Sequence, residues 1–160
     1  MAVKEGDKIP SGTFKVMSAD GPKDLTSDEL FKGKTVALFS VPGAFTPTCS
    51  AKHLPGFVKN ADALRAKGVD AIACTAANDV FVMNAWGKDQ GCGENVMMLA
   101  DGSADFARKL GLELDLTARG MGMRAQRYSM LVKDGVIQKL NVEEPGQFEV
   151  SSAEHMLSQL

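Results

Sequence analysis

Continuous apolar runs alternate along the chain with segments in which apolar residues recur at helical intervals. Each run is typical of a central strand covered on both faces, and the runs are TVALFSV (35–41), VDAIACTA (69–76) and VMMLAD (96–101). Helical periodicity fills the interval from about Thr48 to Gly68, where Pro55 is expected to kink the helix. The pattern predicts β-α-β units.

Shorter elements flank this block, and each carries a terminal signal of its own. Strands are predicted in two places: an edge strand or hairpin in FKVMSAD (14–20) with a turn at Gly21-Pro22, and a β-hairpin that turns at Lys133-Asp134-Gly135. Three helices are predicted between them, from Thr26 to Gly33, from Asn78 or Asp79 through Trp86, and in SADFARKLG (103–111). A terminal helix follows, with the capping-box spacing Ser151 to Glu154. The order implies an α/β fold: a mixed central sheet with helices on both faces, compatible with a thioredoxin-like fold.

Composition narrows the class of protein. At 160 residues the chain suits one domain, 1–160, and its 44% hydrophobic and 24% charged residues are ordinary for a globular protein. A net charge of −2 offers no broad basic face, and no apolar run approaches a membrane span, so neither nucleic acid nor membrane is expected as a partner. The N-terminus lacks a signal peptide, which favours a cytoplasmic location. Three unevenly spaced cysteines and two histidines predict no disulfide framework, metal or cofactor.

The candidate chemistry centres on Cys49, in the loop VPGAFTPTCS (41–50) between the first apolar run and a helix. Ligands of open α/β sheets collect at this edge, and a helix N-terminus favours a thiolate and oxygen-rich ligands. Full ionisation of a free thiol gains only roughly 30-fold at pH 7, so an efficient site also needs donors aimed at the leaving group.

The sequence offers several such groups near the cysteine. The hydroxyl of Thr46 can accept a hydrogen bond from a substrate, and Pro42 and Pro47 stiffen the loop. Arg124, just ahead of a predicted strand, can bring a permanent positive charge.

The segment PGAFTPTC contains PxxxTxxC, and with it the chain resembles the type II (atypical, glutaredoxin- or thioredoxin-dependent) peroxiredoxins of the peroxiredoxin-5-like subfamily. The resemblance covers nearly the whole chain and includes HLPGF, GVDAIACTAANDVFVMNAW, LGLELDL, MRAQRYSMLVKDG and VSSAEHML. It implies a thioredoxin-like fold and a thiol peroxidase that reduces hydrogen peroxide and small organic hydroperoxides.

The resemblance also implies roles for particular residues. Cys49 would attack the peroxide and become a sulfenic acid. Thr46 and Arg124 would orient the peroxide with the backbone N–H groups of Thr48 and Cys49, and Pro42 would shield the thiolate.

Two neighbouring residues compete for roles in this site. Arg127 competes with Arg124, although Arg124 fits the family position better. His53, one helical turn after Cys49, is interpreted as a packing or pKa-tuning residue; a Cys–His hydrolase would also need an oriented third group and an oxyanion hole, and neither is recognisable.

The sulfenic acid must be reduced, and the sequence leaves the route open. Cys74, 25 residues after Cys49 in the sequence, is either a resolving thiol reached by local unwinding or a buried structural cysteine. Cys92 is expected to be an exposed surface thiol. The resemblance implies reduction by glutaredoxin and glutathione or by thioredoxin, and a homodimer in which Phe45 either lines the mouth of the site or meets the second subunit.

Two other functions compete with peroxidase activity. A disulfide oxidoreductase is disfavoured because no CxxC motif is present. A peroxide-sensing redox switch or binding module with little turnover shares the first chemical step, so this alternative stays open.

Overall fold

A central sheet and the helices on its two faces account for most of residues 2–160, the part of the chain described by this computed structural model. The strands are β1 Thr13–Ser18, β2 Gly21–Thr26, β3 Thr35–Ser40, β4 Ala71–Ala76, β5 Met97–Ala100, β6 Glu113–Leu116, β7 Gly122–Ala125, β8 Tyr128–Lys133 and β9 Val136–Val142. The helices are α1 Ser27–Phe31, α2 Leu54–Lys59, α3 Ala61–Ala66, α4 Val80–Asp89, α5 Asp105–Leu110 and α6 Ala153–Ser158, with a π-helical turn at Cys49–His53 and a 3-10 turn at Thr117–Arg119.

The sheet is mixed, as predicted. Within residues 2–160 its strand order is β2-β1-β5-β4-β3-β8-β9, and β6 and β7 pair separately as a small hairpin. Strands β3, β4 and β5 run parallel, whereas β8 pairs antiparallel with β3. Strand β3 is therefore central, and its carboxyl end meets the start of β8.

Each face of the sheet carries its own apolar core, which explains the continuous apolar run of β3. Ala37 and Phe39 belong to the core beneath α2, α3, α4 and α6. Val36 and Leu38 belong to the opposite core, under α1 and α5. A strand covered on both faces needs apolar side chains at successive positions, and the predicted thioredoxin-like α/β arrangement is confirmed.

The helix predicted over 48–68 forms three successive pieces, which are the π-helical turn, α2 and α3. The helical backbone is interrupted at Asn60, between α2 and α3, rather than at Pro55. The N–H of Leu54 bonds to the carbonyl of Cys49, five residues earlier, which makes this first turn π-helical. Pro55 then stands in the first turn of α2, where a missing N–H costs little.

Other short elements differ from the prediction at their ends. Gly21 and Pro22 begin β2 instead of forming the turn, and α4 continues past Trp86 to Asp89. The N-cap of α6 is Ser152, whose hydroxyl accepts the N–H of His155 at 3.0 Å, and not Ser151. The β6–β7 hairpin was not predicted. Among residues 2–160 no helix has both the length and the apolar character needed to cross a bilayer.

Candidate active site

The loop after β3 delivers Cys49 to the carboxyl edge of the sheet. Helical backbone geometry begins at Pro47, and the N–H of Ser50 donates to the carbonyl of Thr46 at 2.9 Å. Proline suits a first helical position because its fixed φ is already helical. The first N–H groups of a helix have no partner within it, so those of Thr48 and Cys49 can donate to a ligand.

Tight contacts hold the shape of this loop. The Thr46 hydroxyl donates to the carbonyl of Gly43 at 2.7 Å, which leaves its oxygen lone pairs to accept a hydrogen bond from a substrate. The amide of Ala44 donates to Oδ1 of Asn78 at 2.9 Å. A Cβ at Gly43 would lie 3.0 Å from Cγ2 of Thr46 and 3.3 Å from Nη1 of Arg124, so a larger residue at this position would require these side chains to shift by a few tenths of an ångström.

The arginine at the thiol is Arg127. Its Nη2 donates to Sγ of Cys49 at 3.0 Å, whereas Arg124 donates through Nε to the carbonyl of Met121 at 2.9 Å and through Nη1 to that of Pro42 at 3.4 Å. The prediction that Arg124 brings the charge to the sulfur is therefore wrong in its choice of arginine. Arg127 directly precedes β8, the neighbour of β3, while Arg124 lies in the separate β6–β7 hairpin and braces the loop from outside.

His53 orients this arginine. The ring is fully buried, its Nδ1 lies 2.8 Å from Nη1 of Arg127, and its Nε2 lies 2.9 Å from the carbonyl oxygen of Ser151. Because a guanidinium can only donate, Nδ1 accepts and Nε2–H donates. Burial, and secondly the charge of Arg127, lower the pKa of His53 to about 3. His53 is therefore neutral, and both of its ring nitrogens are engaged in hydrogen bonds, in agreement with its interpretation as a packing or pKa-tuning residue.

A cleft of about 490 Å³ opens beside this group. Cys49 itself is only 1% exposed and lies behind the cleft wall. The residues that line the cleft include Pro42, Thr46, Pro47, Thr48, Leu114, Leu116, Met121, Arg127 and Glu143. One wall is thus the apolar side of the β6–β7 hairpin. The alternation of leucine with acidic residues in LELDL is a strand pattern that signals β6 from the sequence.

The other two cysteines are buried. Cys74, in β4, is fully buried in the same core as Cys49, and burial raises the pKa of its thiol well above the usual value. Cys92 is 2% exposed, which corrects the prediction of a surface thiol: its N–H donates to the carbonyl of Gly87, at 3.0 Å, and the loop folds it inward. Burial raises the pKa of Cys92 to about 11. All three cysteines are free, and residues 2–160 contain no cluster of His, Cys, Asp and Glu suited to a metal.

Comparison with known proteins gives matches along almost the full chain. The family model described as Redoxin matches residues 4–157. Peroxiredoxin-2E, chloroplastic, of Arabidopsis thaliana is 51% identical over 99% of this chain and 70% of its own length, and Peroxiredoxin-2B of the same plant is 47% identical over 97% and 96%. The crystal structure of reduced Prx3 from Vibrio vulnificus in complex with H2O2 superposes with a TM-score of 0.95 at 50% identity, covering 98% of each chain.

Proposed function

The chain belongs to the Redoxin family and is a thiol-dependent peroxidase, an atypical peroxiredoxin, and on this premise we propose that Cys49 is the thiol that reduces the peroxide. The observation that carries the proposal is the 3.0 Å contact between Nη2 of Arg127 and Sγ of Cys49, behind a cleft large enough for a peroxide. A fixed positive charge at a sulfur atom favours the thiolate, which is the reactive form.

The proposed reaction transfers one oxygen atom. The Cys49 thiolate attacks the terminal oxygen of ROOH, the O–O bond breaks, the sulfur becomes a sulfenic acid, and the leaving RO⁻ takes a proton from water. Thr46 accepts the peroxide O–H, and the N–H groups of Thr48 and Cys49 donate to the peroxide. Arg127 stabilises the charge that develops on the leaving oxygen. Pro42 shields the thiolate from water.

We further propose that an external thiol, from glutaredoxin and glutathione or from thioredoxin, reduces the sulfenic acid. The burial of Cys74 and the raised pKa of its thiol favour this route over an internal disulfide. Cys74 is then a structural residue of β4.

The test combines a rapid acid quench with a turnover assay. Reduced protein mixed with one equivalent of hydrogen peroxide is quenched within seconds and mapped by mass spectrometry, with C49S as the control. We expect oxidation at Cys49 while Cys92 remains reduced, and continued peroxide consumption under excess reductant. Equal oxidation of Cys49 and Cys92 would contradict the proposal, and consumption that stops after one equivalent would favour the redox switch.

A homodimer forms part of the proposal. Phe45, in the active-site loop, is 52% exposed with its ring 6.5 Å from that of Trp86 in α4, and Phe81 on the same helix is 64% exposed. Exposed aromatic side chains of this kind are favoured at interfaces. Sedimentation equilibrium should show a dimer that F81E weakens, whereas M97E, at another exposed apolar residue, should leave it intact. A monomeric parent protein would contradict this.

The remaining parts of the proposal are a single domain over 1–160 and a cytoplasmic location. The two cores share one sheet, which supports a single cooperative unit. Unfolding followed by two probes tests the single domain, which should give one transition. Fractionation of the source cells tests the cytoplasmic location.

A further inference from the structure

Glu143 carries a buried carboxylate that the peroxidase chemistry does not itself use. The residue is 6% exposed, and its Oε2 accepts the N–H groups of Glu149, Val150 and Ser151 at 2.9, 2.9 and 2.8 Å. The Ser151 hydroxyl donates to the same oxygen at 2.6 Å. Burial alone would raise the pKa of Glu143, but these donors outweigh it and hold the pKa below its usual value. One charged oxygen thus folds the segment 149–151.

This segment connects to the reacting sulfur through a series of hydrogen bonds that passes through His53 and Arg127. The carbonyl of Ser151 accepts Nε2–H of His53 at 2.9 Å, and Nδ1 of His53 accepts Nη1–H of Arg127 at 2.8 Å. Nη2 of the same guanidinium donates to Sγ of Cys49 at 3.0 Å. The direction of every bond is determined, because a carboxylate only accepts and an arginine only donates.

Arg127 has few other restraints on its orientation. Among residues 2–160 no carboxylate forms a salt bridge with it. Its guanidinium carbon lies 5.8 Å from the ring centroid of Phe148, which also packs against the His53 ring at 5.0 Å. Phe148 directly precedes the segment that Glu143 folds. Two side chains beside the guanidinium, His53 and Phe148, are therefore linked to the segment that the Glu143 carboxylate holds, and the His53 ring also packs against Phe39 and Phe57.

Resting on the proposed function of Cys49 and Arg127, we infer that Glu143 is a positioning residue for peroxide reduction, which aims Arg127 at the sulfur through Ser151 and His53. Glu143 is one of the residues that line the cleft, but the hydrogen bonds of its carboxylate go to the segment 149–151. Its effect on the reaction is therefore indirect.

The first experiment compares E143A with E143Q. All four donors meet a single oxygen, so the amide oxygen of glutamine can replace it, whereas alanine offers no acceptor. Since a misplacement of about 1 Å can cost on the order of 100-fold in rate, we expect E143A to lower the rate constant of Cys49 oxidation by about 10- to 100-fold. E143Q should recover most of this loss. The matched control is E5Q, which removes a surface carboxylate bonded to the backbone of β9 and should retain the parent rate.

The second experiment is a double-mutant cycle with R127Q, which separates positioning from general loss of structure. If Glu143 acts through Arg127, E143A should cause no further loss in the R127Q background. Equal losses in both backgrounds, or an E143A rate within twofold of the parent rate, would overturn the inference. If E143A does not fold, E143D enters the same cycle, because it keeps the charge and shortens the reach by one methylene. Failure of the proposed function would look different, since C49S would then still consume peroxide.

Discussion

Replacing Arg127 by glutamine tests which arginine serves the thiol. At 3.0 Å the attraction between a guanidinium and a thiolate is about 5.5 kcal/mol at an effective dielectric constant of about 20. Desolvation of the two groups offsets part of this energy. Removal of one preorganised donor costs about 10²- to 10³-fold in other active sites, and we expect a loss in this range for R127Q.

The matched variant is R124Q, which removes the contacts to the carbonyls of Met121 and Pro42 but none to the sulfur. We expect R124Q to lower the rate by less than about tenfold, which corresponds to about 1.4 kcal/mol, because its two hydrogen bonds brace the loop from outside and neither reaches the sulfur. The assay is a single-turnover stopped-flow reaction with hydrogen peroxide, calibrated by acid quench. The signal is the fluorescence of Trp86, whose Nε1–H donates to Oγ of Ser50, the residue after Cys49, at 3.0 Å. A loss in R124Q as large as that in R127Q would refute the assignment.

Three further predictions concern stability, recycling and substrate size. The pKa of His53 is about 3 in the folded state and about 6.5 in the unfolded chain, so between these pH values only the unfolded chain binds a proton at His53. The free energy of unfolding should therefore fall as the pH falls, by at most about 1.4 kcal/mol per pH unit. Urea unfolding at pH 7 and pH 5 should give H53Q a smaller decrease than the parent protein, and an equal decrease would contradict the buried neutral histidine. C74A should keep its turnover with an external thiol, and loss of turnover with intact oxidation of Cys49 would instead make Cys74 the resolving thiol. L116S, which changes the apolar wall of the cleft, should lower kcat/KM for cumene hydroperoxide by about tenfold more than for hydrogen peroxide; equal losses would show that the wall does not contact the organic group.

Much of the fold could be predicted because its signals are local. The predicted helix start at Thr26 forms, with a capping box of Thr26 and Glu29, and Gly111 ends α5 in the left-handed conformation. Asp134 and Gly135 adopt positive φ values of 47° and 78° in the β8–β9 turn. Such features depend on residues within one turn or one hairpin, so the sequence alone determines them. The position of Cys49, in the loop that follows the first apolar run, is predicted from the same kind of local pattern.

Two predictions fail where a contact outside the element itself decides between local options. Both Ser151 and Ser152 can cap α6, and Glu143 of the preceding segment engages Ser151, so Ser152 becomes the cap. The loop after α4 folds back and buries Cys92, although its glycines predicted exposure.

Local sequence alone specifies the strand runs, the β8–β9 turn and the position of Cys49 in the loop after β3, because periodicity and turn chemistry act over a few residues. The choice between Arg124 and Arg127 belongs to the tertiary structure. Pairing of Ser40 with Tyr128 brings the start of β8 beside the end of β3, and Arg127 thereby reaches the sulfur. Arg124 and Arg127 carry the same charge and are only three residues apart, so the local sequence does not show which of them contacts Cys49. The long-range pairing of β3 with β8 distinguishes the two arginines.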